Sequence, residues 1–142
     1  MSVIAAVCRS VAVGTVKAPI AAGTLVQDFG LEGDAHAGTE RQVSLLCRDS
    51  VRKMEGKGAD LPPGVFAENL LVEGLRIEDV RVGQEYRLPS GAALEVTRIG
   101  KTCHSGCAIK RLVGDCIMPR EGFFARVTKG GEVRPGDELT RV

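Results

Sequence analysis

The chain has 142 residues, 44% of them apolar and 26% charged, which is the makeup of one globular domain able to bury a core without disulfides or a metal. A formal net charge of +1, with four Phe, one Tyr and no Trp, argues against a nucleic-acid binder: phosphate neutralisation and base stacking both lack their residues. No run approaches the roughly 18 apolar residues of a membrane span, and five cysteines without a secretory leader predict reduced thiols and a cytoplasmic location.

Eighteen glycines and six prolines cut the chain into short pieces, which predicts a mostly β, barrel-like single domain over 1–142 with one or two short helices. "VIAAVCRSVAV" reads as a first strand and "GTLVQDFGLEGD" as a second that ends in a glycine-rich corner. "RQVSLLC" is a third strand, apolar enough to be buried on both faces. "RDSVRKMEGKG" is the best helix, capped by Asp49 or Ser50, with Val51 and Met54 on one face and Gly56 and Gly58 ending it.

In "LPPGVFAENLLVEG", Pro62 and Pro63 force an extended entry, and Phe66 to Leu71 turn into a short strand. "QEYRLPSGAALEVTRIG" is a hairpin in which Tyr86 and Leu88 face Leu94, Val96 and Ile99. "FFARVTKGGEVRPGDELTRV" holds two short strands around Gly130 and Gly131 and a turn at Pro135 to Asp137.

Two stretches carry chemistry. In "GLEGDAHAGTERQVSLL", Gly30, Gly33 and Gly38 let backbone approach a ligand, and Asp34, His36, Glu40 and Arg41 follow closely. One reading is a pocket in which Arg41 grips an anion while His36 or Asp34 orients a polar group. The other is a barrel corner in which Asp34 caps a turn and pairs with Arg41 at the surface.

"GKTCHSGCAIKRLVGDC" gathers Cys103, His104, Cys107 and Cys116 among Lys101, Lys110 and Arg111. Zinc could take Cys103, Cys107, Cys116 and His104 or His36, but the second paired knuckle of a structural site is missing, so zinc is not the expected cofactor. A redox dithiol is weaker still, since C-x3-C is not C-x-x-C. A single reactive thiol fits Cys103: nearby positive charge and a helix beginning in "SGCAIKRLVG" both favour thiolate. The remaining reading treats cysteine as a small core residue, which suits Cys8 and Cys47 inside apolar strands. Arg120 and Arg126 add cations, and convergence with Arg41 and Lys101 would surround Cys103 with anion-binding groups.

"GLEGDAHAG" with "RQVSLL", then "FAENLLVEG", "GKTCHSGC", "GDCIMPREGFFARV" and "GGEVRPGDEL" together resemble a MOSC domain, the module at the C-terminus of molybdenum cofactor sulfurases that also occurs alone. The resemblance implies a β-rich barrel that binds the pterin molybdenum cofactor (molybdopterin) or handles sulfur for a metal centre. It also implies that Cys103 is the family's cysteine, able to hold a persulfide or approach molybdenum. Arg41 matches the arginine after the corner, Glu68 and Asn69 match the Glu-Asn pair, and Arg126 matches a basic position on the penultimate strand. The chain has no pyridoxal phosphate desulfurase domain, so a separate cysteine desulfurase or a molybdoenzyme is the expected partner. Cys107 and Cys116 could resolve a persulfide by exchange or ligate a metal. The expected function is thus a sulfur carrier or cofactor-binding protein, with Lys101 and His104 tuning Cys103. The alternatives are a non-catalytic molybdopterin or oxyanion module and a zinc-stabilised domain.

Overall fold

The computed structural model describes residues 2–12, 15–54, 62–100 and 117–142. Its centre is a closed β-barrel. Strands β1 (Ser2–Arg9), β5 (Val43–Cys47), β6 (Leu70–Glu73), β7 (Glu85–Arg87), β8 (Ala93–Ile99), β9 (Phe123–Lys129) and β11 (Glu138–Arg141) form it in the order β11-β7-β8-β9-β5-β6-β1. Pairing of Ser2 with Leu139 and Val3 with Glu138 closes the ring, which leaves those strands no free edge. Strand β2 (Ala18–Ile20) adds to β1, while β3 (Gly23–Val26), β4 (Gly30–Leu31) and β10 (Gly131–Val133) make a small separate sheet. The expected mostly β barrel is what the chain forms.

Alternation builds two cores from the same strands. Val43, Leu45 and Cys47 of β5, Leu94 and Val96 of β8, and Phe123, Ala125 and Val127 of β9 fill the barrel. Residues of opposite parity, Leu46 and Phe124, pack outside it with Ala6, Cys8 and Leu71. Over this outer face lie Val51 and Met54 of helix α1 (Arg48–Arg52) and its turn, Val65 to Ala67, and Ile117 and Met118 at helix α2 (Met118–Glu121). Both faces of β5 are therefore covered, as its mostly apolar composition predicts.

Several local expectations change. Strand β1 ends at Arg9 because the Ser10 N–H donates to Asp34 Oδ1 and the Ala35 N–H to the Ser10 carbonyl, which draws the chain into the corner. The expected second strand is two, β3 and β4, split by a turn in which Asp28 has φ 53°. Neither Asp49 nor Ser50 caps α1: Cys47 holds that position without a side-chain bond, Asp49 pairs with Arg52, and Ser50 donates to Glu121 at 2.7 Å. Gly56 and Gly58 lie outside the described residues. Ile99 is exposed at the end of β8 instead of lining the barrel, and the last third forms three strands, because β9 runs through Lys129 before β10.

Candidate functional site

The glycine corner is organised by a buried ion pair that the local sequence does not announce. Asp34 is 7% exposed and Lys17, from the loop before β2, is 3% exposed. Lys17 Nζ donates to Asp34 Oδ1 at 2.8 Å and to Ser10 Oγ at 3.2 Å. The N–H groups of Ser10 and His36 donate to the same carboxylate, each at 3.1 Å. Burial pushes the Asp34 carboxyl up, but Lys17 and these two N–H groups outweigh it and hold it below the usual carboxylate range. His36 Nδ1 lies 3.4 Å from Lys17 Nζ and 3.8 Å from Asp34 Oδ2. Asp34 thus pairs with Lys17, not with Arg41.

Glu68 and Asn69 are wholly buried and hold backbone. The Glu68 carboxylate accepts from the Gly64 N–H at 2.9 Å and the Phe66 N–H at 3.2 Å. Burial pushes its carboxyl up, against the pull of those N–H groups and of Lys17. Gly64 has φ 90°, and a Cβ there would lie 2.0 Å from the Lys17 carbonyl oxygen, so only glycine fits this crossing. Asn69 Oδ1 accepts from the Ser44 N–H at 2.9 Å, and its Nδ2 donates to the Cys8 carbonyl at 3.0 Å. One amide therefore clamps the ends of β1, β5 and β6 together.

Arg41 lies elsewhere, over the Phe124 ring with its guanidinium carbon 5.8 Å from the centroid. It lines an open cleft of about 200 Å³ with Glu40, Thr97, Arg98 and Phe124. Among the described residues neither Arg41 nor Arg98 is ion-paired. Two guanidiniums against one carboxylate, on an aromatic floor, suit an anionic ligand group. Arg98 stands two residues before Gly100, where β8 hands over to the stretch containing Cys103.

Arg126, on the same outward face of β9 as Phe124, is instead engaged by two carboxylates, Glu95 at 2.9 Å and Asp28 at 3.0 Å. Arg120 is on α2, its Nη2 4.0 Å from Met54 Sδ. Lys101, Cys103, His104, Cys107 and Cys116 lie outside the described residues, and so does the zinc alternative built on them. Among the described residues no group of three or more His, Cys, Asp or Glu side chains could hold a metal. Cys8 and Cys47 are core residues, as expected.

Sequence reasoning overlooked Lys17, Ser44, Arg98 and Phe124. Arg98 and Phe124 had a usable signal, since pairing "LEVTRIG" with "FFARVTK" puts them side by side: Arg98 pairs with Phe124. Lys17 had none, because its partner is seventeen residues away, beyond β2, β3 and β4.

A family profile described as MOSC domain matches residues 32–140, from the glycine corner through nearly all of β11. The chain belongs to the MOSC domain family. A search of curated proteins gave no match. This MOSC domain is similar in structure to the YuaD protein of Bacillus subtilis, with a TM-score of 0.79, 18% identity, and 98% of this chain and 94% of that one covered. It is also similar to YiiM of Geobacillus stearothermophilus, with a TM-score of 0.76, 23% identity, and 100% and 75% covered. YiiM of Escherichia coli gives 0.71, 20%, and 100% and 70%. At these identities the likeness is one of fold. The family itself is linked to the molybdenum cofactor. No helix among the described residues is long and apolar enough to cross a membrane.

Proposed function

We propose that this MOSC domain holds an anionic group, such as the phosphate of molybdopterin, in the Arg41–Arg98 cleft, and that Cys103 carries sulfur toward the cofactor. The observation that carries the reading is Arg41, without an ion-pair partner among the described residues, over Phe124 and beside Arg98, on the strand that leads to Cys103. The donor set fits the anionic end of the cofactor. A cleft of about 200 Å³ suits a phosphate, and is below the roughly 300–1,000 Å³ of sites that enclose a whole drug-sized ligand.

In this reading Arg41 and Arg98 bind the phosphate and Phe124 fixes the Arg41 guanidinium plane. When bound, the cofactor supplies a molybdenum centre able to accept sulfur. The Cys103 thiolate attacks the terminal sulfur of a donor persulfide presented by a separate cysteine desulfurase. A new S–S bond forms as the donor's S–S bond breaks, and the donor leaves as a thiolate with no net oxidation. Lys101 and His104 favour the thiolate by their charge. Asp34, Glu68 and Asn69 act through the scaffold.

Elemental analysis with intact mass of natively purified protein tests this. Molybdenum, or one sulfur added at Cys103, is expected. A protein that takes up neither, even after incubation with molybdopterin and a charged desulfurase, contradicts it.

A further inference from the structure

A second cationic cleft, of about 390 Å³, opens where β7, β8 and β9 lie side by side, lined by Glu85, Arg87, Gly91, Ala93, Thr128 and Lys129. Strand register explains why the cations meet. Ala93 pairs with Arg87 on one side and with Lys129 on the other, so the two long side chains flank a methyl group in one row across three strands. Neighbouring strands are about 4.8 Å apart, which sets the two backbones about 10 Å apart, a gap that Arg and Lys side chains close around one small ion.

The row depends on a bulge. Ala93 pairs with Lys129 but Leu94 pairs with Val127, which leaves Thr128 as the extra residue. In unbroken alternation Lys129 would share the inward parity of Phe123, Ala125 and Val127. With the bulge, Lys129 is exposed, and its Nζ lies over Gly91, 3.8 Å from where a Cβ would stand at φ +94°. The bulge also leaves Thr128 Oγ1 buried with no hydrogen-bond partner among the described residues. Among the described residues neither Arg87 nor Lys129 has an ion-pair partner, and two cations against Glu85 leave the lining net positive.

We propose that this cleft is a second anion site, for a tetrahedral oxyanion of the phosphate class, gripped by Arg87 and Lys129. Cations at the two ends match the distributed negative charge of a phosphate. It is distinct from the Arg41 cleft, four residues away along β9, and does not depend on the reading given to Cys103.

Titration with inorganic phosphate at constant ionic strength, followed by backbone amide NMR, tests it. Saturable shifts centred on Gly91, Thr128 and Lys129 are expected. Arg87→Gln with Lys129→Gln should weaken binding by about tenfold or more, as loss of charged hydrogen bonds implies. The control pair Arg52→Gln with Arg76→Gln removes the same charge elsewhere and should leave the affinity unchanged. Shifts that never saturate, or equal affinity in the Arg87 and Lys129 variant, would overturn the proposal.

Discussion

Lys17 Nζ lies 2.8 Å from Asp34 Oδ1, and both side chains are almost completely buried. The pair joins the loop before β2 to the glycine corner, and the Lys17 N–H donates to the Gly64 carbonyl at 2.8 Å, which brings the Glu68 turn to the same place. Removing one partner strands the other charge in the interior. Lys17→Met is therefore expected to cost about 3–5 kcal/mol in urea unfolding, and Lys17→Met with Asp34→Leu to cost less than the sum of the single changes. Additive losses would mean that the pair contributes nothing as a pair.

The same site sets an acid limit. Asp34 has a folded pKa below its unfolded one, so its contribution to stability is complete above the ordinary carboxylate value. It is lost as pH falls through the lower folded value, at about pH 4 and below. Glu68 has the opposite sign: its raised pKa gives stability that is complete below the unfolded value and fades as pH rises through the folded one. Urea unfolding across pH should show Asp34→Asn weaker than wild type at pH 7 but with a smaller acid loss below about pH 4. Parallel curves for the two proteins would remove Asp34 from the account.

The barrel was legible because its signal is local. Alternation in "QEYRLPSGAALEV" and the mostly apolar run "VSLLC" fix which faces are buried, and those strands form where expected. The site was legible only in part. Arg41, Glu68 and Asn69 stand out as motif residues, yet their motif does not distinguish a ligand contact from a clamp. Asn69 holds Ser44 and Cys8 by contacts across three strands, and Arg41 takes its place from Phe124 on β9. Both follow from long-range register, which local spacing does not encode. Arg126 reads as a free cation in sequence because Glu95 and Asp28 reach it only through the fold.

Thiol chemistry should divide the five cysteines. Cys8 and Cys47 are fully buried in strands. Burial, with Glu68 nearby, pushes the Cys8 thiol up to about 12. Burial, with Asp49, Glu121 and Glu78 nearby, does the same to Cys47. Neither forms the reactive thiolate near neutrality. Iodoacetamide labelling of native protein, read by peptide mass, should leave both unmodified while Cys103 reacts. Rapid modification of Cys8 or Cys47 in folded protein would contradict this.

Arg41 and Arg126 should behave differently. Arg41 has an aromatic floor and no carboxylate partner among the described residues, so Arg41→Ala should weaken molybdopterin binding by about tenfold or more. Arg126 is held by Glu95 and Asp28, so Arg126→Ala should leave that affinity within about twofold, as loss of an exposed ion pair implies. Calorimetric titration of both variants checks the contrast, and equal losses would refute it.

Sulfur transfer to Cys103 is the expected outcome, and intact mass spectrometry reads it without any assay of the downstream enzyme. Wild-type protein incubated with a cysteine desulfurase and cysteine, then passed through a desalting column, should gain the mass of one sulfur atom. Peptide mapping should place that sulfur on Cys103, and Cys103→Ala should gain none. A Cys103→Ala protein that accepts as much sulfur as wild type would contradict the account.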